Sequence, residues 1–188
     1  MNSGIFLNNT QQLSFPSRII LIGFMGSGKS TVGKLLASSL DYQYMDTDAL
    51  IEKMEGMSVS DIFAKHGESY FRKLESEVIK TLTDYESIVI STGGGMPVFE
   101  NNMALLNKAG ITIFLNVGVE TIYQRISKDN TRPLVTANTD ATLKDFIKNK
   151  LQERIPFYKQ AQVLVAGGRN PRLVVKTILS KIATKKQH

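Results

Sequence analysis

The sequence predicts an α/β fold in which a five-stranded parallel sheet carries helices on both faces. Three observations lead there. Short apolar runs rich in β-branched residues recur along the chain, each followed by a stretch with helical spacing. The first run, Ile19 to Ile22, passes directly into Gly23-Phe24-Met25-Gly26-Ser27-Gly28-Lys29-Ser30, a GxxxxGK[ST] turn between strand and helix. Glycine- or carboxylate-rich segments then stand at the ends of three strands, where parallel sheets collect their ligands.

Taken in order, residues 1–17 are polar, aperiodic and closed by Pro16, and are expected to form a flexible leader ahead of a single domain at 18–188. Ile19 to Ile22 reads as a strand covered on both faces. The helix after the Gly-rich turn spans 29–40, with Val32, Leu35, Leu36 and Leu40 on one side. Tyr42 to Met45 is a second strand, ending at Asp46-Thr47-Asp48, and 49–55 is a helix stopped by Gly56. Ser58 and Asp61 have capping-box spacing for a short helix that Gly67 ends. Phe71, Leu74, Val78 and Leu82 mark a longer helix over 69–82. Ile88 to Ile90 is a third strand, running into Ser91-Thr92-Gly93-Gly94-Gly95. A helix near 100–109, strand 111–115 and helix 119–127 follow. The polar stretch 128–139 is too long for a simple connector. Leu143, Phe146, Ile147 and Leu151 predict a helix ended near Pro156. Val163 to Val165 is the fifth strand, and Asn170-Pro171 opens a last helix through Val174, Ile178 and Ile182. Met96 and Met103 read as core, and His66 as a helix-face residue.

The Gly-rich turn has a definite chemistry. Its glycines let backbone N–H groups converge on an anion at a helix N-terminus. Lys29 is placed to reach the β- and γ-phosphates of a nucleoside triphosphate, and the Ser30 hydroxyl to ligate Mg²⁺. Gly26, Ser27, Gly28 and Thr31 complete this phosphate-binding set.

Composition narrows the alternatives. The 188 residues carry 21% charged and 42% hydrophobic side chains, an ordinary globular balance. The absence of cysteine excludes disulfides and thiolate metal sites, and two histidines form no ligand cluster. No apolar run approaches the length needed to span a membrane, and residues 1–17 lack a secretory leader, so a soluble cytoplasmic protein without membrane contacts is expected. The net charge of +6 points to anionic partners. No aromatic and basic residues interleave as a base-stacking platform would require, so no nucleic-acid partner is expected.

Outside the Gly-rich turn, each candidate residue has two readings. Asp46 and Asp48 would point to one side of an extended segment, one toward Mg²⁺ (directly or through water) and one toward a substrate hydroxyl; alternatively Asp48 caps the next helix. Arg72 begins an amphipathic helix and is either a site residue or a solvated charge. Gly93, Gly94 and Gly95 either bring backbone close to a ligand or form a plain turn. Arg125, Arg132 and Arg154 are surface charges or, on a mobile loop, phosphoryl-stabilising groups.

In this order and spacing GFMGSGKST, MDTD, FRKLE at 71–75, STGGG at 91–95, TRPL at 131–134 and RIPFY at 154–158 resemble the shikimate kinase family, from about Ile19 onward. The resemblance implies a three-layer P-loop kinase fold of the nucleoside-monophosphate-kinase type, and ATP-dependent, Mg²⁺-assisted phosphorylation of the 3-hydroxyl of shikimate in aromatic amino-acid biosynthesis. It implies that Asp48 binds the ring hydroxyls and orients or accepts the 3-hydroxyl proton. Arg72 and Arg154 would hold the carboxylate, and Gly94 with its neighbours would let the ring approach the backbone. Asp46 would support Mg²⁺ beside Ser30. Lys29 and a lid arginine, Arg132, would act on the phosphates, and Arg125 and Arg169 would flank the adenine. A substrate-binding region at about 48–78, a lid at about 128–141 and a monomeric state complete these expectations. The chain departs from the family in its longer leader and in Gly167-Gly168-Arg169, where relatives often place another basic residue before the arginine.

Other functions fit parts of this pattern. A P-loop kinase for gluconate or a nucleoside monophosphate would use Arg72 and Arg154 on a different anion. A GTPase-type switch is disfavoured, since Asn107-Lys108 precedes Ala109-Gly110 and no Asp stands where guanine recognition would use one.

Overall fold

The computed structural model describes residues 13–127 and 140–185. Its centre is a five-stranded, all-parallel sheet in the order β3-β4-β2-β5-β6. The strands are β2 (Arg18–Ile22), β3 (Gln43–Asp46), β4 (Ile88–Ser91), β5 (Ile111–Asn116) and β6 (Val163–Ala166). Because all five run the same way, their carboxyl ends share one edge of the sheet. The Gly-rich turn, Asp46, the triple glycine and Gly167-Gly168-Arg169 all leave from that edge.

Strand β2 is central, and its side chains alternate between two cores. Ile20 and Ile22 join Ile62, Phe71, Leu106 and Ile147 on one face. Ile19 and Leu21 pack with Leu36, Val174 and Ile178 on the other. A strand apolar at every position is what a sheet covered on both faces requires. The first core lies under α2 (Thr47–Glu55), α3 (Val59–Thr81), α4 (Asn102–Ala109), α5 (Val119–Ile126) and α6 (Asp140–Tyr158). The second lies under α1 (Lys29–Leu40) and α7 (Pro171–Ile182). Met96 and Met103 are core residues, as expected. His66 is exposed and stacks on Tyr70 at 4.7 Å between ring centroids.

Several expectations need correction. Asp46, not Asp48, caps α2: its side chain accepts from the Asp48 backbone N–H. The helices expected at 58–66 and 69–82 are both present and meet at Gly67, whose φ of 80° and ψ of 171° are not helical; together they make up α3. The Ser58 cap is present, with its hydroxyl accepting from the Asp61 N–H. The helix expected to end near Pro156 does so, with α6 running two residues past the proline to Tyr158. The stretch expected as a helix from about 100 starts at Asn102, after a tight turn at Met96–Val98. Among residues expected to be leader, Leu13–Ser14 (β1) pairs antiparallel with Thr184–Lys185 (β7). Residues 1–12 and the stretch 128–139, which contains Arg132 and most of the expected lid, lie outside the described residues.

Candidate active site

The Gly-rich turn closes over the end of β2 and hands the chain to α1. Gly28 caps α1 with φ of 95°, a left-handed conformation that a side chain would strain. Lys29 is buried, and its ammonium donates to the carbonyls of Gly23 at 2.9 Å and Phe24 at 3.1 Å. Those bonds hold the cation across the mouth of the turn. A cavity of about 360 Å³ opens there, bounded by Lys29, Ser30, Asp46, Asp48, Gly94 and Arg125 among others.

One carboxylate organises the wall opposite the turn. Asp46 Oδ2 accepts from the Ser30 hydroxyl and the Tyr44 hydroxyl, each at 3.3 Å, while Oδ1 accepts from the Asp48 N–H at 3.1 Å. Because Asp46 does the capping, Asp48 on the first turn of α2 has its carboxylate left for the cavity. Its Oδ1 is buried without a hydrogen-bond partner among the described residues. Burial and the neighbouring Asp46 charge push its pKa above the usual carboxylate range, against the pull of Lys29 and Arg72.

Helix α3 supplies the next groups. Arg72 Nη1 donates to Glu75 Oε2 at 2.6 Å, and its Nε and Nη2 donate to Glu68 Oε1 at 3.2 and 2.9 Å. Glu75 is fully buried, and burial pushes its pKa up to about 7 despite the Arg72 charge beside it. Its Oε1, like Asp48 Oδ1, lacks a partner among the described residues. A Cβ on Gly93 would lie 2.6 Å from Asp48 Oδ1 and 2.8 Å from Glu75 Oε1, so the two orphaned oxygens converge where only glycine fits. A Cβ on Gly95 would overlap the Arg72 guanidinium itself. Gly93 and Gly95 therefore mark a close approach of backbone to charged side chains, whereas a Cβ on Gly94 would meet only ordinary contacts.

Helix α6 closes the far side. Its last turn places Tyr158, fully buried, to donate to the Gly94 carbonyl at 2.7 Å, and burial raises that phenol's pKa to about 12. One turn earlier, the Arg154 guanidinium lies 5.4 Å from the centre of the Phe24 ring. Among the described residues no carboxylate stands within salt-bridge distance of it. A second cavity, of about 170 Å³, lies between Asp48, Arg72, Glu75 and Arg154, with Phe63 and Phe71 as its apolar floor. It shares Met25, Asp48, Gly93 and Gly94 with the phosphate cavity. The two spaces thus meet at a carboxylate whose proton affinity is raised, the arrangement that general-base chemistry next to a triphosphate needs.

A third space, of about 200 Å³, extends from the turn between Arg125, Gly168, Arg169 and Pro171. Arg125 donates to the Gly26 carbonyl at 2.9 Å and the Gly168 carbonyl at 2.7 Å, tying the two walls together, and Arg169 reaches Gln124 at 3.5 Å.

The described candidate residues therefore converge on one connected set of cavities. Arg72 and Arg154, whose surface reading was open, are partly buried and face the same space. Sequence reasoning missed Glu75, Met25 and Tyr158. Glu75 carried a signal: with Phe71, Leu74 and Val78 it sits on the apolar stripe of α3, where an unpaired acid would be costly.

The family model for shikimate kinase matches residues 25–183. A shikimate kinase of Aquifex aeolicus (strain VF5) is 44% identical over 162 residues, covering 86% of this chain and 94% of that protein. The crystal structure of shikimate kinase from Bacteroides thetaiotaomicron superposes with a TM-score of 0.84 at 36% identity, over 88% of this chain and 98% of that one. A structure of shikimate kinase from Acinetobacter baumannii in complex with shikimate gives a TM-score of 0.81 at 33% identity, over 88% and 92%.

Proposed function

The chain belongs to the shikimate kinase family, and from that premise we propose that it transfers the γ-phosphoryl group of ATP to the 3-hydroxyl of shikimate, giving shikimate 3-phosphate and ADP on the way to the aromatic amino acids. The observation that carries the acceptor assignment is the junction of two cavities at Asp48, with Arg72 and Arg154 across the inner one. A hydroxylated ring fits that space if its carboxylate lies between two guanidinium groups, each able to make forked bonds, and its hydroxyls face a carboxylate.

In this reading Asp48 binds the ring hydroxyls and orients or accepts the 3-hydroxyl proton. Gly93, Gly94 and Gly95 let the ring lie against the backbone. Arg72, held by Glu75, and Arg154 bind the substrate carboxylate. The amides of Gly26 to Thr31 cradle the phosphates, and Lys29 neutralises charge at the β- and γ-positions. Transfer is direct and in line, with positioning and charge neutralisation as the main contributions. Arg125 and Arg169 flank the adenine. Arg132 closes over the phosphates from a lid at about 128–141. The unit at 18–188 works as a monomer in the cytoplasm, with the segment about 48–78 as its substrate-binding part. Among the described residues no helix is long and apolar enough to cross a membrane.

The Ser30 hydroxyl and Asp46 carboxylate, 3.3 Å apart beside the phosphate cavity, suit Mg²⁺, which takes one or two protein oxygens and completes its shell with phosphates and water. When bound, the ion would neutralise charge on the phosphate oxygens.

A coupled ADP-release assay over shikimate, gluconate and nucleoside monophosphates tests the assignment. Shikimate should support turnover and the others only background. Equal turnover with gluconate would defeat it.

A further inference from the structure

Arg72 is bound by two carboxylates that differ in one respect. Glu75 is fully buried behind the guanidinium. Glu68 is an exposed side chain, 66% accessible, and its Oε1 alone spans Nε and Nη2, the side-on fork of the guanidinium. Gly67 breaks α3, so Glu68 opens a fresh helical turn four residues before Arg72, the acid-before-base order that favours pairing.

Glu68 also stands on one side only of this arginine. It lines an outer cavity of about 400 Å³ together with Ser69, Arg72, Phe99 and Arg154. It does not line the inner space of about 170 Å³ beside Asp48, although Arg72, Gly95 and Arg154 border both. An acid arriving through the outer cavity therefore meets Arg154, which has no carboxylate partner among the described residues, and an Arg72 fork that is already taken.

We infer that Glu68 is an internal stand-in for the acceptor's carboxylate: it holds the Arg72 fork, gives way when the acceptor binds, and returns as product leaves. This rests on the kinase reading above. The exchange follows from the two environments. The buried Glu75 contact is costly to open, whereas an exposed pair holds by only about five-fold or less and is readily replaced. An incoming carboxylate swaps for Glu68 on one cation and gains the other. A neutral polyol has nothing to exchange, so Glu68 lowers affinity for acids alone and keeps stray anions off Arg72 between turnovers.

The test is calorimetric titration of the full chain and its Glu68→Gln and Glu68→Asp variants with shikimate, beside kcat and KM under saturating ATP. Glu68→Gln should tighten shikimate binding by about two- to five-fold and lower KM in parallel, with kcat and the KM for ATP unchanged. Glu68→Asp keeps the charge but is too short to span the fork, and should tighten binding too. The analogue with hydroxymethyl in place of the carboxylate should bind all three proteins equally. Unchanged or weaker shikimate binding by a folded variant, or equal tightening for the neutral analogue, would overturn the inference. A wild-type protein that neither binds nor phosphorylates shikimate would overturn the kinase reading instead.

Discussion

Around the phosphate cavity much of the lining comes from one short stretch between Met25 and Thr31, with Asp46, Asp48, Gly94 and Arg125 added from elsewhere in the chain. Around the acceptor cavity the charged groups come from three helices: Asp48 on α2, Arg72 and Glu75 on α3, and Arg154 on α6. The first region depends on chain geometry, the second on a balance of buried charge. Substitutions should therefore separate the two halves, with ATP and shikimate responding independently.

The sharpest separation is expected from Asp48→Asn. It keeps the shape of the junction but removes the proton acceptor, so kcat should fall roughly 100- to 10,000-fold. ATP binding, read by nucleotide titration, should stay close to wild type. Retention of wild-type kcat would remove Asp48 from the chemistry.

Gly93→Ala presses on the acceptor half from the backbone side. Its methyl would push Asp48 and Glu75 apart, and sub-ångström displacements at a reacting centre are expensive, so kcat/KM for shikimate should drop about 10- to 100-fold. The KM for ATP should move far less. A variant as active as wild type would mean that the two carboxylates can part without consequence.

Arg125→Ala is the converse probe. It removes two bonds across the nucleotide wall and should raise the KM for ATP about ten-fold, given an ordinary net value per hydrogen bond, while the KM for shikimate holds. A parallel change in both constants would show that the halves are mechanically coupled.

A last effect is expected in stability against pH. Glu75 ionises near 7 in the folded protein and near its ordinary value of 4.5 when unfolded. The folded state therefore holds the proton more tightly, and the contribution is fully present below about pH 4.5. It is lost as pH rises through about 7. The melting temperature of Glu75→Gln, which has no proton to lose, should fall less steeply than wild type between those values. Parallel curves would mean that Glu75 does not titrate in that window.

The same division explains what the sequence revealed. The succession of strands and helices needed only alternation and glycine punctuation, whereas their order in the sheet was not read; the Gly-rich turn was readable because its residues are contiguous. Asp46 and Asp48 were both singled out, yet their roles at the helix start depended on which one made the cap, a matter of backbone angles. Glu75 was hidden in plain view within FRKLE, since its importance comes from burial against Arg72 and Gly93. Tyr158 stands within RIPFY, but its role comes from a bond to the Gly94 carbonyl, far away in the chain. Long-range side-chain pairing leaves little trace in local spacing, so the acceptor half was the less legible one.

The position of β2 has a further consequence. Its ladder partners are Ile88 to Ser91 of β4 on one side and Ile111 to Phe114 of β5 on the other. A fragment that stopped before β4 would carry the whole GxxxxGKS motif and none of the hydrogen-bond framework beneath it. Closing those long loops costs chain entropy before any pairing repays it. The phosphate cradle is written in a few adjacent residues near the start of the domain, but it becomes a rigid object only when much of the remaining chain is in place.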